Sequence, residues 1–314
     1  MARSARRLPR PAHLSRGIAL VLVLWVLTLL TVMAVGMTAA QRTETALTDN
    51  RIADARFRAL ADAAIAYTAF SFLAPEPTAG LGTDRDDETP TWLPNGQSRD
   101  WTFDGNTLSI AVHNEQSRIN LNRASADQLS ALLIVLGLEA EEANAVADAI
   151  LDWRDEDDLK LLNGAEDGEY EEAGRAIGAK DAPFVAVEEL QQVLGVSREL
   201  YRRLAPEVTV DTEGDQIDET FASAAVIAAL QGISLDEAQL RVEERDAPLF
   251  PGGQAATAAN RGGPLYRIQV RVQDWGRQAR AMEALVELAA GQEPPYQVRW
   301  RRFGLVIEPQ ASTQ

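Results

Sequence analysis

Ile18 to Ala40 reads IALVLVLWVLTLLTVMAVGMTAA, 23 consecutive residues without a charge. A stretch of that kind has few destinations. As a helix rising 1.5 Å per residue it covers about 35 Å, enough to cross roughly 30 Å of hydrocarbon. Arg3, Arg6, Arg7, Arg10 and Arg16 precede it with no acid among them, so the leader stays cytoplasmic and the rest of the chain is sent to the other side.

A secretory signal peptide also begins with a basic stretch and an apolar run, but its apolar core spans only about 7–15 residues and ends at a small-x-small cleavage site. This run is longer and passes without a turn into another helical pattern. Gln41 to Leu73 contains no glycine or proline. Within it Leu47, Ile52, Phe57, Leu60, Ala64 and Tyr67 recur at helical spacing, while Arg42, Arg51, Arg56 and Arg58 alternate with Glu44, Asp49, Asp54 and Asp62. The spacing predicts one helix of roughly 55 residues, half lipid-embedded and half amphipathic.

Charge and composition narrow the chemistry. The chain carries 30 bases against 47 acids; with the five leader arginines set aside, 25 bases face 47 acids, a formal charge of −22. Such a body repels phosphate backbones. With no cysteine and two histidines, the chain has no disulfide framework, no thiol nucleophile and little imidazole for transition metals.

Beyond the helix, Pro75 to Asn95 reads as a loop. Trp101–Phe103 and Asn106–His113 read as a hairpin turned at Asp104-Gly105-Asn106. Leu265–Val272, Tyr296–Trp300 and Phe303–Ile307 carry strand patterns of a half-covered antiparallel sheet. These strands bracket about 150 residues of helical composition, so the fold class is α+β with a helical domain inserted into the sheet domain. The expected organisation is a leader at 1–17, a membrane helix at 18–40, the amphipathic helix and first strands at 41–118, the insert at 119–250, and closing strands at 251–314.

The insert contains a weak repeat. Ile119-Asn120-Leu121-Asn122-Arg123-Ala124-Ser125-Ala126 lies 98 positions before Ile217-Asp218-Glu219-Thr220-Phe221-Ala222-Ser223-Ala224. Each copy leads through a glycine, Gly137 or Gly232, into a second helix, Glu141–Trp153 or Leu235–Arg245. Asn120 and Asn122 are expected to cap and turn the chain before a helix at Ala126. The arrangement resembles helix-hairpin-helix and SAM-like domains, which raises DNA binding. Against it, residues 139–172 hold 14 acids beside Arg154 and Lys160, with no Gly-x-Gly hairpin.

The chemically richest stretch is Asp152-Trp153-Arg154-Asp155-Glu156-Asp157-Asp158, followed by Gly164-Ala165-Glu166-Asp167. Alternating carboxylates, a folding glycine and a second acid pair suit a hard cation that takes six to eight oxygens. The spacing is not that of an EF-hand, and the same pattern also describes a solvated acidic loop.

At Arg16-Gly17-Ile18-Ala19-Leu20 the chain resembles the class III signal of type IV pilins and type II secretion pseudopilins. The resemblance implies cleavage after Gly17 by the prepilin peptidase and methylation of the new amino terminus at Ile18, with the apolar helix retained. Most members carry a glutamate at the fifth mature position; here it is Leu22. An intramembrane carboxylate persists only where a partner charge offsets its cost, and its absence selects the pseudopilin class that commonly lacks it, the type II secretion K subunits. Ile119-Asn120-Leu121-Asn122, Asp152-Trp153-x-Asp155-x-Asp157, Gly164-Ala165-Glu166-Asp167-x-x-Tyr170 and Pro183-Phe184 resemble the inserted α-domain of that family.

The resemblance implies a pilin-like fold, its long N-terminal helix packed on an antiparallel sheet, and calcium in the inserted domain at Asp155, Asp157, Glu166 and Asp167 with Asp158 beside them. It further implies an inner-membrane, single-pass minor pseudopilin with a periplasmic body at the pseudopilus tip. Its partners would be the I and J minor pseudopilins and the major pseudopilin, with no nucleic acid. No enzymatic constellation stands out, since no His adjoins a Ser in a plausible elbow and no phosphate-binding glycine loop occurs. A carboxylate-pair hydrolase would show metal-dependent turnover, whereas an architectural subunit would show metal-dependent stability alone. The competing non-enzymatic reading is a membrane-anchored periplasmic adaptor of another envelope machine, with an uncleaved helix.

Overall fold

The computed structural model describes residues 15–74, 92–214, 216–247, 261–272 and 280–304. Helix α1, Ser15–Leu73, runs unbroken for 59 residues. No proline or acid interrupts its first half, and its threonines bond back into their own helix, Thr31 Oγ1 donating to Leu27 O at 2.7 Å and Thr38 Oγ1 to Ala34 O at 2.8 Å. The chain divides into two compact units, 1–59 and 60–314. In the first, Ala19–Thr38 is long and apolar enough to cross a membrane.

The second unit holds a five-stranded antiparallel sheet in the order β1-β2-β5-β6-β7: β1 Asn95–Phe103, β2 Asn106–Asn114, β5 Leu265–Val272, β6 Arg280–Leu288 and β7 Tyr296–Phe303. The β1–β2 hairpin turns on Asp104 (φ 48°) and Gly105 (φ 72°). Two successive positive-φ residues match the right-handed twist of the flanking strands, and Asp-Gly suits them. β1 starts at Asn95, six residues before the expected Trp101; Asn95–Asp100 are all polar or glycine and carry no apolar alternation to mark a strand. β6 has no counterpart among the expected strands. Its sequence RAMEALVEL is rich in helix formers, and burial between two neighbours overrides that preference. β7 runs on through Phe303; residues 305–307 of the last expected strand lie outside the described residues.

The two faces of the sheet differ. Leu108, Ile110 and Val112 of β2, Ile268 and Val270 of β5, and Met282, Ala284 and Val286 of β6 are wholly or almost wholly buried on one face. Residues 60–73 of α1 cover this face. Leu60, Ala61, Ala64, Ile65 and Ala69 recur at three- and four-residue spacing and are buried. Tyr67 stacks on Trp101 of β1 at 4.7 Å, Phe72 meets Tyr266 edge-on at 5.2 Å, and Arg301 of β7 reaches Asp62 at 2.6 Å. The opposite face is polar, carrying Ser109, His113, Arg267, Gln269, Arg271 and Glu283.

Between β2 and β5 runs the helical body: β3 Ile119–Asn120, α2 Ala126–Val135, α3 Ala140–Arg154, α4 Asp167–Glu172, α5 Arg198–Leu204, β4 Val208–Thr209, α6 Ala224–Gln231 and α7 Leu235–Asp246. β3 and β4 pair in parallel. The repeat is structural: Ser125 caps α2 and Ser223 caps α6, each accepting from the backbone N–H three residues on, at 3.2 and 3.1 Å. Gly137 and Gly232 make the inter-helix turns in the left-handed region (φ 96° and 64°). The expected roles of Asn120 and Asn122 change in part. Asn120 turns the chain by accepting from Asn122 N at 2.8 Å, but the cap is Ser125, which Gln128 completes as a capping box.

An acidic two-loop site on the helical body

The body's core gathers Leu121, Leu129, Leu132, Val146, Ile150 and Leu190. At one side it ends in an aromatic group, Trp153 of α3 lying 5.9 Å from Tyr170 of α4 and 6.3 Å from Phe184. Those three rings anchor two loops, 155–166 and 173–186, which leave the core together. Asn122 ties the second loop down, donating to Phe184 O at 2.9 Å and accepting from Phe184 N at 2.7 Å. The Arg154 guanidinium turns back to the carbonyls of Leu121 and Ala124, away from the acids that follow it.

The loops carry the acids. Asp152 is fully buried and accepts from Leu161 N at 3.2 Å. A β-carbon on Gly164 would overlap its carboxylate, which would have to shift to admit one. Gly178 lies against the Asp167 carboxylate in the same way. Asp157 turns its own loop, accepting from Leu159 N at 2.9 Å.

Of the predicted ligands, Asp155 and Glu166 point inward; Asp157, Asp158 and Asp167 are exposed. Asp155 Oδ1 and Glu166 Oε1 are buried without a hydrogen-bond partner, and so is Asp181 Oδ1. Burial first, then the charges of Asp152, Asp181, Asp155 and Asp158, push the Glu166 carboxyl up to about 7. Burial pushes Asp152 up to about 6 and raises Asp155 and Asp181 as well. After burial, repulsion from Asp167 and Asp158 raises Asp181 further, so these carboxylates push against one another. It sits at φ 54°, a conformation few side chains other than Asp and Asn tolerate. The sequence reading missed Asp181 as a site residue because it stands alone, 14 residues beyond Asp167; its nearness to Pro183-Phe184 was the available signal.

Buried carboxylate oxygens with no donor, facing other carboxylates, match the needs of a hard cation that takes only oxygen ligands. Among the described residues, however, no three His, Cys, Asp or Glu side chains are grouped tightly enough to hold one ion as they stand. The acids ring two loops rather than form a closed cage.

A long N-terminal helix, an antiparallel sheet and an interposed helical body define a mixed α+β protein of pilin-like architecture. The chain superposes with a TM-score of 0.51, at 18% identity, on a chain in the crystal structure of the GspK-GspI-GspJ complex of the enterotoxigenic Escherichia coli type 2 secretion system, covering 79% of this chain and 98% of that one. Residues 103–212, from the hairpin through β4, match the family model of type II secretion system protein K. Type II secretion system protein K of Dickeya chrysanthemi is 37% identical over 120 residues, 36% of this chain and 33% of that protein. The Pseudomonas aeruginosa protein is 32% identical over 152 residues, 45% of each, and that of Klebsiella pneumoniae 29% over 212 residues, 62% and 63%. The chain is thus a relative of the type II secretion K proteins, and its matches span from a third to just under two-thirds of their lengths.

Proposed function

We propose that this protein is a minor pseudopilin of a type II secretion system, sitting with other minor pseudopilins at the tip of the periplasmic pseudopilus and priming its assembly. The observation that carries this reading is the K-family match over residues 103–212, from the hairpin turn through β4, in a chain whose first unit holds a helix long and apolar enough to span a membrane.

The mechanism is architectural. The apolar part of α1 holds the chain in the inner membrane and then packs against the corresponding helices of the I, J and major pseudopilins. Leu22 presents no carboxylate for the amino terminus of a subunit above, which suits a position with nothing above it. The helical body widens the chain beyond the sheet and blocks stacking on that end.

Calcium would be held by Asp155, Glu166 and Asp181 only once the two loops draw these acids together, with Asp157, Asp158 and Asp167 as the further carboxylates on hand. Bound there, the ion supplies the positive charge that offsets repulsion among these acids. The residues do the rest: Asn122 and the Trp153–Tyr170–Phe184 group hold the two loops together, and Gly164 and Gly178 let them close.

The test is the mass of the native chain extracted from membranes. A chain beginning at Ile18, methylated on its amino terminus, is expected. Retention of the arginine-rich leader overturns the pseudopilin reading in favour of an uncleaved anchor. A bulky residue in place of Gly17 is expected to block processing.

A further inference from the structure

The polar face of the sheet does not pack tightly against the helical body. A cavity of about 490 Å³ lies between them, floored by β1, β2, β5 and β6 and roofed by residues of α5, α6 and α7. That is the size of a small-molecule site. Its lining inverts the charge of the chain. Arg118, Arg245, Arg267, Arg271 and Arg302 face it with Glu188, Glu207 and Glu283, an excess of cations in a protein of net charge −17.

Four of these arginines are spoken for, Arg271 among them. Arg267 is ion-paired to Glu115, Arg302 to Glu188, and Arg245 both to Asp246 at 2.7 Å and to the Ala222 carbonyl at 2.8 Å. Arg118 differs. It is 7% exposed, yet among the described residues its guanidinium makes no hydrogen bond, and its ion contact, Nε to Glu115 Oε2 at 3.7 Å, lies beyond hydrogen-bond reach. Glu115 gives its short contacts to Arg267 and to Thr209. The next acid, Glu207, accepts from Ser223 Oγ, and burial raises its carboxyl toward the neutral form. Burial and the neighbouring Arg267 both work against the charge on Arg118. A buried guanidinium with several unused donors is a receptor for a planar oxyanion. The sheet side of the same cavity also presents the neutral side chains of Ser98, Ser109 and Gln269, the last donating one amide hydrogen to Glu283 at 3.3 Å.

We propose that this cavity binds a small hydroxy-carboxylate, its carboxylate taken by Arg118 and its hydroxyl groups by Ser98, Ser109 and Gln269. The site shares no lining residue with the acidic loops 155–166 and 173–186 and does not depend on the pseudopilin reading.

Calorimetric titration of the full chain in detergent, at low ionic strength and fixed calcium, tests the site with L-malate, succinate and sulfate. Malate is expected to bind with a Kd of about 10–500 µM and succinate, lacking the hydroxyl, more weakly. Arg118→Gln is expected to weaken malate at least about tenfold. Ser98→Phe, at the exposed mouth on β1, should abolish binding while leaving the melting temperature unchanged, and it carries the test should Arg118→Gln fail to fold. Absence of saturable malate binding up to about 10 mM, or equal affinity in the parent and Ser98→Phe, overturns the site. Sulfate binding as tightly as malate overturns the carboxylate assignment.

Discussion

Arg267 of β5 and Glu115, just beyond β2, form an ion pair in the interior, where Glu115 has no exposed surface and also accepts from Thr209 Oγ1 of β4 at 2.5 Å. One carboxylate thereby ties the sheet to the helical body. Arg267 also lies over the Trp300 ring at 5.4 Å, while Trp300 Nε1 donates to Asp211 at 3.2 Å and Arg302 stacks on the ring's surface at 4.4 Å.

Glu115→Gln should therefore destabilise the second unit by about 3–5 kcal/mol, the cost of leaving a buried charge uncompensated. The double change Glu115→Leu with Arg267→Met should cost less than Glu115→Gln alone, and urea unfolding of the three proteins measures the difference. Arg267 and Arg118 hold the Glu115 carboxyl below its ordinary value despite burial. Its stabilising share is thus present above the unfolded pKa and is lost as pH falls through the lower folded one.

A second pH effect comes from His113. Burial, then Arg118, Arg267 and Arg271, lower its pKa from 6.5 to about 3, with Glu115 opposing. Between those values the unfolded chain binds a proton that the folded chain refuses, so stability falls as pH drops from 6.5 toward 3. The slope is up to about 1.4 kcal/mol per pH unit, reduced where water enters the cavity that His113 lines. Melting temperatures of His113→Gln should show a flatter profile over that range; an unchanged slope contradicts the assignment.

Asn122 makes both of its long-range bonds to one residue, Phe184. Asn122→Ala should lose about 1–3 kcal/mol because two backbone groups are left without partners. Amide exchange should show the loss concentrated in residues 173–186, whereas an even loss across the body would argue for a general packing defect.

Replacing Asp155 and Glu166 together with alanine is expected to lower the melting temperature in calcium and to leave it level or slightly raised in chelator. The same acids that would ligand the ion repel one another without it. Equal losses in both conditions count against the calcium site.

The resemblance read at the Gly17-Ile18 junction and in the Gly164-Ala165-Glu166-Asp167 box points to the K family, and the family match at 103–212 covers the second of these. Most of the hairpin, Leu265–Val272 and the start of Tyr296–Phe303 are legible because alternation with a period of two marks a strand with one buried face. The repeat is legible because a Ser cap followed by apolar residues is a local signal. β6 is not, since its local preference is helical and only its neighbours make it a strand.

What the sequence determined by itself was whatever local or compositional physics decides: the membrane-long helix, the acidic body, the split sheet with helices between its strands, and the residue types suited to a hard cation. The tertiary structure alone decided which distant groups meet. Asp181 joins Glu166, Glu115 meets an arginine 152 positions away, and Arg118 faces a cavity, because burial and pairing of charges depend on how elements pack, and no window of sequence contains both partners.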